Sequence, residues 1–351
     1  MAPSARNTHL ITLLLCFCFL PTVSALALES GSFAVGVKGE DVNGFACGAV
    51  NILVGQKNPF WLDVDKSQFL HFAHPKFSQF GRSLAVGDFN GDKLPDFVVG
   101  APEQDGFYEN VSKVGGVTVY RGLKGKGYSS DYSGQWEECA FSSEVPIGFI
   151  VEGSCEENDQ FGHSLATGDF NNDGYDDLAI GVPFDNIKES APINNAGAVK
   201  VVYGTRRGLH YYTYQEWHQN SDGIMGVAEG GDLFGFSLAS GDFNGDGFDD
   251  LAIGVPIEDL SSNTIIAAGA VNIIFGSSLG LHPSEGSNNL LLYQQLDDFY
   301  GYSEDGDNFG YSLTSGDFDN DGLDELVIGV RYKDVWSNDT VPVQVENEIN
   351  F

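Results

Sequence analysis

The chain repeats itself, and the repeat constrains the fold more than any other feature. Phe80-Gly81-Arg82-Ser83-Leu84 returns as Phe161-Gly162-His163-Ser164-Leu165, as Phe234-Gly235-Phe236-Ser237-Leu238 and as Phe309-Gly310-Tyr311-Ser312-Leu313. Each copy leads into Gly-Asp-Phe, then an acidic loop, then an apolar run ending in glycine at Gly100, Gly181, Gly254 and Gly329. The first three runs continue to Pro102, Pro183 and Pro256, whereas the fourth has Arg331 in place of proline. A second apolar strand follows at 116–120, 197–202 and 269–274, and an earlier copy of it stands at 48–53. The chain thus opens with the second half of a unit. It closes with a unit whose second half is weak, since 341–345 alternates like a strand without matching. The Gly-Asp-Phe aspartates Asp88, Asp169, Asp242 and Asp317 lie 81, 73 and 75 residues apart.

Each unit holds about four short strands separated by Gly, Pro, Asn and Asp turns, which accounts for the 45 glycines. Trp61, Trp136 and Trp217 fall once per unit in the expected outer strand. A unit this short cannot bury its own core, so neighbouring units must cover one another. The reading is all-β: a β-propeller of about four to five units over 26–351.

The acidic loops have the spacing of calcium ligands. In the second copy, oxygen-bearing side chains fall at loop positions one, three, five and nine, as Asp169, Asn171, Asp173 and Asp177, and Tyr175 offers a carbonyl at seven. Position six is Gly174, where the tight turn needs a left-handed backbone. The third copy supplies Asp242, Asn244, Asp246, Phe248 and Asp250. The first supplies Asp88, Asn90, Asp92, Leu94 and Asp96, with Lys93 at position six. The fourth supplies Asp317, Asp319, Asp321, Leu323 and Glu325. Carboxylates this close repel, and a hard dication with six to eight oxygen ligands removes the repulsion. Nitrogen and sulfur ligands are absent, which disfavours zinc and copper. Position twelve is apolar and lies in a strand, so these are strand-to-strand loops rather than EF-hands. The middle two sites are expected to be the best formed.

The N-terminus reads as a signal peptide over 1–25: Arg6, an apolar stretch at 10–20, then Val23-Ser24-Ala25 as a cleavage site. No later stretch is apolar enough over 18 residues to span a bilayer. Secretion makes Cys139 and Cys155 the expected disulfide, with Cys47 left over. Asn110 and Asn338 begin glycosylation tripeptides. Asp and Glu outnumber Lys and Arg by 50 to 17, a net charge of −33, which argues against nucleic acid or an anionic membrane as partner.

Phe-Gly, the acidic loop, the Ile-Gly-Val-Pro or Val-Gly-Ala-Pro run and the Gly-Ala-Val strand together resemble FG-GAP repeats, the blades of the integrin α-subunit N-terminal propeller. The resemblance covers nearly all of 32–331. It implies a seven-bladed propeller with calcium ions in hairpin loops on its lower face, at the metal positions above. It also implies an opposite face that binds an integrin β-like subunit and contributes to recognition of an extracellular protein ligand. Seven blades would need roughly 500 residues. Either the chain is an incomplete product or its ends close a smaller ring. In contrast to an integrin α-subunit, the sequence is expected to hold no thigh or calf domain, membrane helix or cytoplasmic tail.

Catalytic signatures are sparse. No Gly-x-Ser-x-Gly elbow occurs. His71 and His74, the closest histidine pair, have no recognisable further ligand and read as ordinary loop or strand residues. Carboxylates at repeating metal offsets read as structural rather than as a glycosidase pair. Tyr211, Tyr212 and Tyr214 read as strand residues. The expectation is a noncatalytic, secreted or cell-surface recognition module. The alternatives are a scaffold propeller, or the accessory propeller of a secreted enzyme such as a glycosylphosphatidylinositol phospholipase D. The segments 103–113, 184–195 and 257–267, which differ between copies, are the expected recognition loops.

Overall fold

The computed structural model describes residues 23–27, 33–37, 41–42, 45–46, 48–55, 62–71, 78–105, 111–124, 127–129, 134–137, 148–150, 156–210, 214–260, 264–282, 289–294 and 302–332. The described residues form strands, turns and loops, with no helix among them. The chain divides into two compact units, Met1–Val86 with Leu94–His163, and Gly87–Lys93 with Ser164–Phe351.

The first unit opens with β1 (Val23–Ala27), β2 (Phe33–Val37), the short pair β3 (Asp41–Val42) and β4 (Phe45–Ala46), β5 (Ala49–Gly55) and β6 (Leu62–His71). β1, β2, β5 and β6 form one antiparallel sheet in that order. The cleavage-site residues Val23, Ser24 and Ala25 lie in β1, paired with Val37, Gly36 and Val35. The second sheet comprises β7 (Leu84–Gly87), β8 (Asp96–Gly100), β9 (Gly116–Tyr120), β12 (Gly134–Glu137) and β13 (Gly148–Ile150), with β10 (Gly122–Leu123) and β11 (Gly127–Tyr128) as a small hairpin beside it. Trp136 lies in β12 and Trp61 lies outside the described residues, as do Cys47, Cys139, Cys155, Asn110, Asn338 and His74.

The second unit shows the repeat most cleanly. β14 (Leu165–Gly168), β15 (Asp177–Val182), β16 (Ala198–Val202) and β17 (Tyr214–Trp217) form one four-stranded antiparallel sheet, with Trp217 on its outer strand. β18 (Ser237–Gly241), β19 (Asp250–Val255), β20 (Ala270–Ile274) and β21 (Leu290–Leu292) form the next. β22 (Phe309–Gly316) and β23 (Glu325–Val330) pair alone among the described residues. The two inner strands of each full sheet in this unit are mostly β-branched or apolar, with Asp177, Lys200, Asp250 and Asn272 as the exceptions, and every residue of β15, β16, β19 and β20 is buried. A strand covered on both faces needs no polar alternation.

One seam joins successive sheets, and it uses backbone rather than side-chain shape. In the first unit the Ser83 hydroxyl donates to the Gly162 carbonyl at 2.7 Å. In the second, Ser164 donates to Gly235 and Ser237 to Gly310 at the same distance. Gly100, Gly181 and Gly254 face those same carbonyls so closely that an added Cβ would sit 2.2 Å from the oxygen. Phe161, Phe234 and Phe309 then hydrogen-bond back through their N–H groups to the carbonyls of Val114, Ala196 and Ala268, on the turn entering the preceding sheet's third strand. Within the second unit the Phe and Gly of one repeat, and the Ser of the repeat before it, are therefore the parts that clasp successive repeats together. Phe234 is fully buried in a core with Ala179, Val199 and Val201 of the preceding sheet and Leu251 and Ile253 of its own.

Candidate metal centre

The second, third and fourth acidic loops each close a hairpin whose last pair is glycine opposite the position-nine acid: Gly168 with Asp177, Gly241 with Asp250, Gly316 with Glu325. Within the loop the backbone curls around its own side chains. The position-one carboxylate accepts the N–H of position five on one oxygen, at 3.1, 3.0, 3.1 and 3.1 Å for Asp88, Asp169, Asp242 and Asp317. Its other oxygen accepts the N–H of position six, at 2.7, 2.8, 3.0 and 3.2 Å. Position three, which is Asn90, Asn171, Asn244 or Asp319, also accepts from position five. Asp173, Asp246 and Asp321 accept from the position-seven residues Tyr175, Phe248 and Leu323.

That curl needs left-handed backbone at two places. Position six has φ 62, 88, 87 and 98° at Lys93, Gly174, Gly247 and Gly322. Lys93 therefore carries the conformational penalty that its glycine counterparts avoid, about 1 kcal/mol. Position four is left-handed as well, at Gly91, Asn172, Gly245 and Asn320, with φ 72, 51, 75 and 65°. The alternation of Gly and Asn at position four, the two residue types that tolerate this region, is the sequence signal that could have shown it.

The loops differ at position nine. Asp177 is fully buried, and its two oxygens accept the N–H groups of Phe170 and Gly204 at 3.0 and 2.8 Å. Asp250 repeats this with Phe243 and Gly276 at 3.1 and 2.9 Å. Asp96, in the first unit, accepts from Gly122 at 2.8 Å. Burial first, then the neighbouring loop carboxylates, pushes Asp177 and Asp250 up to about 8. In the fourth loop Glu325 accepts from Phe318 at 2.6 Å, and its extra methylene carries the carboxylate into the loop. Asp317, Asp319, Asp321 and Glu325 thereby present oxygens within 4.8 Å of one another, the one such group found among the described residues. The fourth loop has acids at all four of these positions, whereas the two middle loops, which the sequence favoured, have Asn171 and Asn244 at position three. In the middle loops the buried carboxylate answers backbone donors on either side.

This donor set fits a hard divalent cation. It offers carboxylate and amide oxygens only, several of them already oriented by backbone N–H groups, with negative charge in excess.

Two further sets of loop-bracing side chains escaped the sequence reading. Asp159, Asp232 and Asp307, each two residues before the repeat's Phe, accept the N–H of Glu156, Glu229 and Glu304 at 2.6, 2.5 and 2.8 Å. Their signal was Glu-x-x-Asp-x-Phe-Gly, present in three copies. In the second unit burial pushes Asp232 up to about 8 and the neighbouring Glu258 up to about 7, and Gln219 donates to Glu258 at 2.7 Å. The segments 103–113, 184–195 and 257–267 also share a fixed base. Asp105, Asn186 and Asp259 each accept the N–H of the returning residue, Lys113, Asn195 or Ala267, at 3.1, 2.7 and 2.7 Å.

Four-stranded antiparallel sheets repeating around Phe-Gly seams and acidic hairpins define an all-β fold of the β-propeller class. The chain is an FG-GAP repeat protein: the model described as FG-GAP repeat matches residues 80–120, 161–202, 234–271 and 309–343. It is similar to integrin alpha-5 of Xenopus laevis, 32% identical over 72% of this chain and 20% of that protein. It is also similar to integrin alpha-V of Gallus gallus, 29% identical over 72% of this chain and 20% of the relative. A third relative is the phosphatidylinositol-glycan-specific phospholipase D of Bos taurus, 32% identical over 48% of this chain and 18% of that enzyme. The chain thus spans about a fifth of the length of these relatives. No helix among the described residues is long and apolar enough to cross a membrane.

Proposed function

We propose that this chain is a noncatalytic, calcium-binding recognition propeller, secreted or displayed at the cell surface, that binds an extracellular protein. The observation that carries the reading is the fourfold acidic loop, with one hydrogen-bonding frame at the same offsets each time. Residues at positions one, three, five and nine, with the carbonyl of position seven, would hold the ion. The bound ion supplies the positive charge that lets neighbouring carboxylates stay ionised together, and so locks two strands of each sheet. Likeness to integrin alpha subunits supports an adhesion-type role, with an extracellular ligand and an integrin β-like subunit as partners. A signal peptide over 1–25, a Cys139–Cys155 disulfide and glycans on Asn110 and Asn338 belong to the same secreted reading. Antiparallel topology sends the segments 184–195 and 257–267 to the end of their sheets away from the acidic loops, which leaves them available for a partner.

The likeness to the phospholipase D favours one second reading, an accessory propeller working beside a catalytic domain.

Replacing 184–195 with a neutral linker tests the recognition reading. Calcium-dependent melting is expected to survive while binding to cells or to a partner ectodomain falls. Binding that survives this graft and its counterparts at 103–113 and 257–267, yet is lost in a folded Asp173→Ala variant, places function on the metal face instead.

A further inference from the structure

Position eight of the acidic loop is not a ligand position, yet Asp176, Asp249 and Asp324 occupy it in three consecutive copies. Their side chains point to the loop of the preceding repeat. Asp88 donates its N–H to Asp176 at 2.6 Å, Asp169 to Asp249 at 2.8 Å, and Asp242 to Asp324 at 3.2 Å. The main chain returns the contact: the N–H groups of Asp176, Asp249 and Asp324 donate to the carbonyls of Asp88, Asp169 and Asp242 at 3.2, 3.3 and 3.2 Å. The space is kept open by the glycine of Gly-Asp-Phe. An added Cβ on Gly87, Gly168 or Gly241 would lie 3.0, 2.8 or 2.6 Å from the carboxylate oxygen of Asp176, Asp249 or Asp324.

We infer that each metal loop is held in its binding shape by the repeat that follows it, with Asp176, Asp249 and Asp324 acting as positioning residues for the preceding site. This inference rests on the calcium reading above. Position one is where the staple matters most. Its carboxylate already accepts two N–H groups from its own loop, so its main chain sets where the whole curl begins. A charge-assisted bond on that residue's N–H, paired with a return bond on its carbonyl, fixes both sides of the Cα from which the ligand side chain projects. Two absences fit the same logic. Position eight of the first loop is Pro95, and the sequence between β1 and β2 ahead of it has no Gly-Asp-Phe to hold. The Gly316 position, with no following repeat beside it among the described residues, has only the Phe318 ring near its missing Cβ.

The coupling makes a directional forecast: a substitution in one loop weakens metal binding in the loop before it. Tyr175, at position seven of the second loop, where Leu94, Phe248 and Leu323 stand elsewhere, also lays its ring against Gly91 of the first loop, so every variant is read in an Asp92→Ala background that silences the first site and leaves the second. Tyrosine-sensitised terbium luminescence on the full chain, displaced by calcium, measures its affinity, and Tyr175→Phe identifies the signal that belongs to it. Asp249→Ala is expected to weaken that site about tenfold although every residue of 169–177 is untouched. Asp249→Asn, which keeps an acceptor oxygen, should stay within about threefold of the parent. If the alanine variant does not fold, Asp249→Ser, whose hydroxyl falls short of the Asp169 N–H, takes its place with the same expected loss. A parent chain with no Tyr175-dependent terbium signal overturns the calcium reading itself, and the inference with it. A parent that binds, with Asp173→Ala abolishing the signal and Asp249→Ala or Asp249→Ser leaving affinity unchanged, overturns the positioning role alone.

Discussion

β19 and β23 are nearly the same sequence, Asp-Leu-Ala-Ile-Gly-Val against Glu-Leu-Val-Ile-Gly-Val, yet they have different surroundings. Every residue of β19 is buried, whereas β23 is buried nowhere along its length. Ala252 is fully inaccessible, while Val327 at the matching position is 49% exposed. Local sequence cannot explain this, because the two strands pair with their hairpin partners in the same register. The difference is the neighbour. β19 is covered by the repeat beginning at Phe309, and no further repeat covers β23 among the described residues. Burial in this fold is thus conferred by the next repeat, as expected where single units cannot enclose a core.

The sharpest way to break the comparison is at the seam glycine. Gly254→Ala would drive a Cβ to 2.2 Å from the Gly310 carbonyl, a backbone atom that cannot move aside, whereas Gly329→Ala meets the Ser312 hydroxyl, which can rotate. Gly254→Ala is expected to cost about 3 kcal/mol or more, and Gly329→Ala well under half of that, in urea unfolding of the purified protein. Equal costs would show that β23 is covered after all.

Truncation reads the same contrast through the core. Ile253 is fully buried and Ile328 is only partly so. Ile253→Ala should lose about 3 to 4 kcal/mol and Ile328→Ala about 1, by the same measurement.

Acidity acts on the middle loops. Burial raises the folded-state carboxyls of Asp177 and Asp250 to about 8, against an ordinary carboxylate value in the unfolded chain. Below about pH 4 both states hold these protons, and folded stability is fully present. As pH rises towards 8 the unfolded chain sheds protons that the folded one keeps, so the metal-free protein should melt progressively lower. Calcium binds the ionised form, so its gain in melting temperature should widen over the same window. Melting with chelator and with calcium across this pH range checks both signs, and Asp177→Asn with Asp250→Asn should flatten the chelator curve.

The smallest expected effect is at Lys93, the non-glycine residue at position six. Lys93→Gly relieves a left-handed lysine and should stabilise the metal-free protein by up to about 1 kcal/mol, less the entropy that glycine adds to the unfolded chain. Thermal melting detects it. A destabilised variant would show that the lysine side chain contributes a contact worth more than the strain.

The repeat, the strand order around each loop and the left-handed turn at position six could all be read from the sequence, because they recur within single units at fixed offsets. Asp176, Asp249 and Asp324 could not. An aspartate inside an acidic loop looks like one more ligand until its partner, roughly 80 residues away, is seen. Nor could the reach of Glu325 be read: on paper it is a longer aspartate, while in the fold it accepts the Phe318 N–H and still brings its carboxylate among the acids of its own loop. The cleavage-site residues are ambiguous in another way. Val-Ser-Ala suits a processing enzyme and a short strand equally, and cleavage after Ala25 would leave β1 with the pairs Leu26–Ala34 and Ala27–Phe33.

The seam also has a consequence in time. A ribosome adds roughly 5 to 20 residues per second. Successive Phe-Gly pairs here lie 73 to 81 residues apart, which corresponds to roughly 4 to 16 s between one clasp and the next. Throughout each interval the newest sheet stands as β23 stands, with an apolar flank turned to solvent. Synthesis therefore proceeds with one sticky surface always on display, relocated every few seconds and retired only when a later Phe-Gly arrives. A chaperone that follows this chain would need to recognise one moving edge rather than many separate sites.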